Sequence, residues 1–249
     1  MKEPLIQLEN ISKSFGANQV LKGVNLSINE GEITTVIGKS GEGKSVLLKH
    51  IIGLEKPDSG NIYFEGETFS RRARKDRRQL KRKFSYMFQD TALFDSMTVA
   101  ENIALPLKEG TSMPDSEIAE NVRIRLDQLD INGIEDIYPG QLSGGMKKRV
   151  ALARALITNP SIVLFDEPTT GLDPVRKHAV HSMISNYQQK FGFTGIIVSH
   201  EIPEVFSISQ KIAMLNEGKI IFEGTADELQ NDARPAIQDF ILGRSHTVS

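Results

Sequence analysis

The sequence predicts an α/β fold with an antiparallel β appendage and a helical insertion between about residues 95 and 160. Three observations support this fold class. The first sixty residues contain short β-branched or apolar runs that are separated by turn residues. Residues 162–165 and 195–199 form continuous apolar runs, which are typical of parallel strands buried on both faces. Between the strands, apolar residues recur with helical spacing.

The first part of the chain is predicted to form several strands and one helix. The expected strands are residues 5–8, 20–21, 26–28, 33–37 and 62–64, with turns at 15–18 and 29–31. After Ser45 the apolar residues recur with the spacing of a helix, which is predicted to end near Gly53. A strand, a loop and a helix are therefore expected in succession across residues 33–53.

The second part of the chain holds the helices of the insertion and the remaining strands. Helices are expected at about 115–129 and through 150–157, because apolar side chains share one face in each. Residues 212–222 predict a β-hairpin, since two apolar runs flank Asn-Glu-Gly. Residues 225–228 have the pattern of a capping box and open a last helix at about 227–242.

Composition excludes several classes of protein. The 249 residues contain 30 Lys and Arg against 32 Asp and Glu, a formal net charge of -2 that argues against a protein that coats nucleic acid and leaves a local basic patch open. Disulfides and thiolate metal sites are excluded because the chain has no cysteine, as is usual in a reducing compartment. No apolar run approaches the roughly 18 residues of a membrane span, and the start lacks the apolar core of a signal peptide. We therefore expect a cytoplasmic chain that meets a membrane only through a partner.

The charges are unevenly distributed. Residues 71–83 hold nine Lys or Arg and one acid, Asp76. Such a run could contact anionic lipid headgroups, at about 1 kcal/mol for each cation near the surface. The simpler interpretation, which we favour, is a solvated helix face or arm.

A glycine-rich loop follows the strand at 33–37. Its sequence is Gly38-Lys39-Ser40-Gly41-Glu42-Gly43-Lys44-Ser45, with Val46 next in the following helix. This is the P-loop pattern in its required setting between a strand and a helix. Glycines let backbone N–H groups surround phosphate oxygens at a helix N-terminus, Lys44 can reach the β- and γ-phosphates, and the Ser45 hydroxyl can bind Mg²⁺. The sequence therefore predicts a nucleotide site.

Two carboxylates end the buried strand at 162–165. Asp166 is placed to hold Mg²⁺ through its water shell, because the carboxyl end of a strand beside the P-loop faces the phosphates. Glu167 is expected to point the other way and to polarise the attacking water. The alternative interpretation is an exposed acidic strand end without a function. The presence of a P-loop in the same chain makes this alternative less favourable.

An ordered set of motifs narrows the family. In order they are the P-loop, Gln89, Leu142-Ser143-Gly144-Gly145-Met146, Asp166-Glu167, Gly171-Leu172-Asp173 and His200. This set resembles the ATPase subunits of ABC transporters over about residues 5–228. The resemblance implies a P-loop NTPase fold of the ABC type across 1–249, with a mixed central sheet, an antiparallel β subdomain and an α-helical subdomain at about 95–160. It also implies ATP and Mg²⁺ as cofactors.

The resemblance implies a role for each matching residue. Phe15 would stack on adenine, Gln89 would touch Mg²⁺ and the attacking water, and His200 would bond the γ-phosphate in the transition state. Ser143 and Gly145, with Gly144 between them, would contact the γ-phosphate held by a second copy, and Asp173 would lie at the seam between the two copies. Lys44, Gln89, Glu167 and His200 would form the catalytic set. Met146 replaces the Gln that is most common there, which is expected to tune turnover.

A second resemblance concerns the transported substance. The segment after Gln89 (residues 90–107), the segment 200–206 and Met146 are similar to the ATPases of Mla systems, which move phospholipids between bacterial membranes. This implies an integral permease, a periplasmic MCE-domain protein and a small STAS-type protein as partners, at the cytoplasmic face of the inner membrane. Residues 105–107 would lie near the permease groove.

Three alternatives remain open at this point. The first is an ATPase of an importer for a small polar solute. The second is a soluble ABC ATPase acting on DNA or ribosomes, which usually needs long insertions or two nucleotide domains. The third is a nucleotide-binding regulator without turnover, which the presence of Glu167 and His200 disfavours.

Overall fold

A computed structural model of the chain describes residues 3–68, 79–88 and 91–243. The strands are β1 Ile6–Phe15, β2 Asn18–Ile28, β3 Ile33–Ile37, β4 Ser59–Phe64, β5 Glu67–Thr68, β6 Phe84–Met87, β7 Ile162–Asp166, β8 Thr194–Ser199, β9 Lys211–Asn216 and β10 Lys219–Gly224. The helices are α1 Lys44–Ile51, α2 Val99–Gly110, α3 Asp115–Gln128, α4 Gly144–Leu156, α5 Pro174–Phe191, α6 Ala226–Gln230 and α7 Pro235–Ile241. Short 3₁₀ turns occupy Pro139–Gln141 and Glu204–Ile208.

The central sheet has six strands in the order β10-β9-β3-β8-β7-β6. It is mixed, as expected: neighbours from β9 to β6 are parallel, and β10 pairs with β9 antiparallel. Every residue of β3 and β8 is buried, because both faces of these strands are covered. The carboxyl ends of β3, β7 and β8 meet at one edge, where ligands bind in folds of this kind.

The antiparallel sheet has the order β2-β1-β4-β5. The runs predicted as separate strands at 20–21 and 26–28 are parts of one long strand, β2, and the strand expected at 5–8 continues to Phe15. The β1–β2 pairing has register shifts at the polar and glycine residues that interrupt the apolar pattern, so both strands continue through them. At one such place the Gly23 N–H donates to the Ser12 hydroxyl at 3.0 Å.

Three helices, α2, α3 and α4, lie within residues 95–160. Helix α2 begins at a capping box in which Thr98 and Glu101 bond each other's backbone N–H groups. It buries Val99, Ile103 and Leu107 in the same core as the apolar face of α3. The helix predicted at about 115–129 is observed at nearly these bounds.

The segment predicted as one C-terminal helix at about 227–242 forms two helices, α6 and α7. The capping box at Thr225 and Glu228 is present and opens α6. The chain then becomes extended at Arg234, with φ of -65° and ψ of 128°, because the following Pro235 disfavours a helical residue before it. The Asp232 carboxylate accepts the Arg234 backbone N–H at 2.9 Å, which stabilises the break.

Within the described ranges, no helix combines the length and the apolarity needed to cross a membrane. The basic run at 71–83 falls mostly outside the described residues, and so does Gln89. At the end of that run, the Lys83 ammonium lies 3.0 Å from the Glu65 carboxylate.

Candidate functional site

The P-loop joins β3 to α1, and two of its glycines are required by their surroundings. A Cβ on Gly38 would lie 2.4 Å from the backbone oxygen of Leu215 on β9. Gly43 has φ of 96° and caps α1, where a Cβ would lie 2.6 Å from a Val20 methyl group. Side chains at these positions would displace the loop, so the glycines fix the path of the backbone around an anion.

Lys44 lies inside the loop. Its side chain is 4% exposed, and its ammonium donates to the carbonyls of Gly38 and Lys39, both at 2.9 Å. Burial lowers the pKa of Lys44, and the Glu167 carboxylate opposes this shift from 3.7 Å away. The cation is therefore held at the centre of the predicted phosphate site.

Ser45 and Asp166 are adjacent, as predicted. The Ser45 hydroxyl donates to Oδ1 of Asp166 at 2.9 Å. The other carboxylate oxygen, Oδ2, accepts from the hydroxyl of Tyr86 on β6 at 2.6 Å. Burial and the Asp166 carboxylate raise the pKa of Tyr86, so the phenol keeps its proton and acts as a donor. The sequence did not single out Tyr86, because only the pairing of β6 with β7 brings it to the site.

Glu167 lies between Lys44 and His200. Its φ is 49°, an uncommon value outside glycine, and its backbone N–H donates to the Val198 carbonyl at 3.1 Å. The Glu167 carboxylate has different partners from those of Asp166, with Oε1 3.2 Å from Nδ1 of His200. The Thr170 hydroxyl donates to Oε2 at 3.1 Å. The geometry thus assembles Lys44, Glu167 and His200 at the predicted sheet edge.

Glu201, next to His200, was missed by sequence reasoning. Its carboxylate accepts from the Thr169 hydroxyl at 2.8 Å and lies 2.8 Å from the Lys177 ammonium. These contacts tie the segment after β8 to the segment after β7 and to helix α5. The sequence carries no local signal for them, since all three elements must first be packed.

The residues of the Leu-Ser-Gly-Gly motif lie at the N-terminus of helix α4. Ser143 caps α4, with its hydroxyl accepting the Met146 N–H at 3.3 Å, and Asp173 caps α5 in the same way, accepting from Arg176 at 3.1 Å. Ser143, Gly144 and Gly145 line a cleft of about 320 Å³ together with Leu172 and Arg176. Residues 38–45, all of them described, are not among the lining residues of this cleft. The Leu-Ser-Gly-Gly residues therefore line a cleft of their own at the N-terminus of α4.

Phe15 ends β1 and is 50% exposed. The Lys13 ammonium lies 5.3 Å from the centroid of its ring, and this ammonium is held by Glu55 at 2.7 Å and by Asp58 at 3.3 Å. An exposed aromatic face of this kind can stack on a planar base.

The donor set beside the P-loop suits Mg²⁺. The Ser45 hydroxyl and the Asp166 carboxylate are hard oxygen donors, which Mg²⁺ prefers. Within residues 3–68, 79–88 and 91–243 there is no group of three His, Cys, Asp or Glu that could hold a metal by itself. A site with few protein ligands fits an ion that keeps several waters and binds nucleotide phosphates.

The chain is similar in sequence to known ATP-binding proteins of transporters. The family model described as ABC transporter matches residues 21–170. The intermembrane phospholipid transport system ATP-binding protein MlaF of Haemophilus influenzae is 34% identical over 245 residues, which cover 98% of this chain and 93% of that protein. The Fe(3+) ions import ATP-binding protein FbpC of Photorhabdus laumondii is 40% identical over 92% of this chain and 63% of its own length.

Two solved structures share the fold. CbiO1 from Clostridium perfringens, part of the ABC transporter complex cbiONQ, has a TM-score of 0.84 at 30% identity and covers 93% of this chain and 92% of its own. A dimeric, post-hydrolysis state of an ATP-binding cassette bound to ADP and Pi has a TM-score of 0.76 at 31% identity, covering 88% of this chain and 98% of its own. The P-loop geometry, the family match and the near-full-length similarity together show that the chain belongs to the ABC transporter family, as a subunit that binds and hydrolyses ATP with Mg²⁺.

Proposed function

We propose that the P-loop edge of the central sheet is the catalytic half-site. The observation that carries this proposal is the chain of contacts from Lys44 through Glu167 to His200, beside the Ser45–Asp166 pair. In this assignment the backbone N–H groups of 38–46 and the Lys44 ammonium bind the phosphates. The Ser45 hydroxyl and Asp166 would hold Mg²⁺, which when bound neutralises charge on the phosphate oxygens.

The remaining residues act on the attacking water and on the transferred group. Glu167 orients the water and takes up its proton, since its carboxylate lies beside His200 and is not one of the groups bonded to the Ser45–Asp166 pair. His200 donates a hydrogen bond to the γ-phosphate as charge develops on it. Phe15 stacks on adenine. We assign Gln89, which lies outside the described residues, to the metal and the water by its position in the motif order.

A second copy of the chain completes each site in this proposal. Ser143, Gly144 and Gly145 present the N-terminus of α4, which favours an anion, and the cleft that they line does not include the P-loop residues 38–45. In a head-to-tail pair, these residues contact the γ-phosphate bound by the partner, and Asp173 lies at the seam. ATP then stabilises the dimer and hydrolysis releases it.

For the transported substance, we propose phospholipid moved between bacterial membranes. The support is the similarity to MlaF, which covers nearly the whole of both chains. The chain would act at the cytoplasmic face of the inner membrane, bound to an integral permease, with a periplasmic MCE-domain protein and a STAS-type protein completing the system. Nucleic acid has no part in this function.

Import of a small solute is the second candidate. Its support is the 40% identity to FbpC, which is higher than the 34% identity to MlaF. The matched region covers only 63% of FbpC. The nucleotide site has the same role in both candidates, so the identity of the permease distinguishes them.

Isolation of the native complex separates the two candidates. We expect the tagged chain, purified from its own membranes, to bring down a permease together with an MCE-domain protein and phospholipid. Reconstituted in liposomes, this complex should transfer fluorescent phospholipid only with ATP, and the Glu167→Gln complex should not. Recovery of a permease with a polar-solute binding protein and no lipid transfer would instead support the importer.

A groove between the helical segment and the central sheet is the proposed permease site. It has a volume of about 470 Å³ and is lined by Ser85 of β6, by Pro106 and Leu107 of α2, and by Met113 and Asn121. Residues 106 and 107 belong to the segment that resembles Mla ATPases, and this resemblance supports the proposed permease site.

Crosslinking tests this placement, since the chain has no cysteine of its own. Ser85→Cys introduces a single thiol in the groove with almost no change of shape. We expect it to crosslink to the permease in the intact complex through a short thiol-to-amine reagent. Ser59→Cys, at the exposed start of β4 in the other sheet, is the control and should remain unlinked. Equal labelling of both variants, or of neither, would place the permease elsewhere.

A further inference from the structure

Both oxygens of the Asp166 carboxylate are bound by side-chain hydroxyl groups. Ser45, from the P-loop helix, donates to Oδ1 at 2.9 Å. Tyr86, from β6, donates to Oδ2 at 2.6 Å, the shorter of the two contacts. A short bond between a neutral donor and a carboxylate is charge-assisted and stronger than a neutral pair. The Asp166 side chain is thereby fixed from both sides.

The position of Tyr86 follows from the sheet. Strand β6 lies at one edge of the central sheet and pairs in parallel with β7, with Tyr86 opposite Leu164 and Met87 opposite Phe165. The Tyr86 side chain therefore reaches along β7 to its last residue, Asp166. Its ring lies 4.5 Å, between centroids, from the ring of Phe88 and packs against the buried core. These contacts hold the phenol in one orientation.

We propose that Tyr86 is a positioning residue of the metal site, which sets the affinity for Mg²⁺ by holding the Asp166 carboxylate. The inference rests on the proposed role of Asp166. With Oδ2 bound to Tyr86, the carboxylate does not rotate, and Oδ1 stays directed toward Ser45, where the metal and its water shell would be bound. Without the phenol, a freely rotating carboxylate must be ordered each time the metal binds.

Removal of the single hydroxyl group tests the proposal. Groups that orient a metal-binding side chain typically change metal affinity by about 10- to 100-fold when they are removed. We expect Tyr86→Phe to weaken Mn²⁺ binding about tenfold, measured by electron paramagnetic resonance with ADP present. Nucleotide binding in excess chelator should stay unchanged. The Mg²⁺ concentration for half-maximal ATPase should rise by a similar factor, and excess Mg²⁺ should restore the rate.

Two further variants make the result specific. Tyr187→Phe removes a hydroxyl from a buried tyrosine on α5 and should leave Mn²⁺ binding unchanged. In an Asp166→Asn background, Tyr86→Phe should have no further effect, because it acts through the carboxylate. Thermal unfolding of each variant reports on the fold independently.

Two results would overturn the inference while leaving Asp166 in its role. One is unchanged Mn²⁺ affinity in Tyr86→Phe when Asp166→Asn binds the metal weakly. The other is a tenfold loss that persists in the Asp166→Asn background. Wild-type Mn²⁺ binding by Asp166→Asn alone would remove the metal role of Asp166 and the inference with it.

Discussion

Replacement of Glu167 by Gln is expected to reduce ATP hydrolysis by about 1,000-fold, within the range that a positioned acid or base contributes. The amide has nearly the shape of the carboxylate but cannot take a proton from water. The Lys44 ammonium, 3.7 Å from this carboxylate, keeps its bonds to the loop carbonyls of Gly38 and Lys39. ATP should therefore bind normally, and a dimer held by two ATP molecules should persist.

Phosphate release gives the rate, and light scattering after size-exclusion chromatography gives the mass with and without Mg²⁺-ATP. Glu65→Gln is a matched control, since Glu65 is a surface partner of Lys83 outside the site. It should hydrolyse ATP at the unsubstituted rate and should show no trapped dimer. A Glu167→Gln variant that stays monomeric at saturating ATP would contradict the dimer proposal, and one with full activity would contradict the role of Glu167.

Local sequence patterns predicted which side chains meet at the edge of the central sheet. A P-loop between strand and helix, and carboxylates at the end of a buried strand, are short-range patterns with a physical cause. The carboxyl ends of parallel strands meet at one edge, so Ser45 and Asp166 could be placed together before any contact was seen. The contact between Glu167 and His200 was not predicted by local patterns, because only the resemblance to the family linked these two residues.

The contacts that sequence reasoning missed depend on which strands are neighbours. Tyr86 reaches Asp166 only because β6 lies beside β7, a pairing between distant segments that alternation of apolar residues does not encode. Glu201 meets Lys177 only after α5 has packed beside the end of β8. Helix α2 was also not predicted individually, but the cause is different: the capping box at Thr98 is a local sequence signal that marks its start.

The first glycine of the P-loop offers a test of the loop backbone itself. Gly38→Ala is expected to lower ATP affinity about 100-fold, since losing even one hydrogen bond to a charged group removes about 1.5–3 kcal/mol. Its new Cβ would lie 2.4 Å from the Leu215 backbone oxygen, and a backbone atom of the central sheet cannot move aside as a flexible side chain can. The loop must shift instead, which should also lower the free energy of unfolding by about 2 kcal/mol.

Isothermal titration with a non-hydrolysable ATP analogue and thermal unfolding measure the two effects separately. Gly140→Ala, in the 3₁₀ turn Pro139–Gln141, is the matched control because a Cβ there meets no heavy atom within 4 Å. If Gly38→Ala lost stability but kept its affinity, the loop would form its phosphate contacts independently of its seat on β9. If Gly38→Ala lost both affinity and stability while the control lost neither, contact with Leu215 would be the constraint that sets the phosphate-binding geometry; if it lost affinity alone, glycine at position 38 would be required by the nucleotide rather than by the sheet.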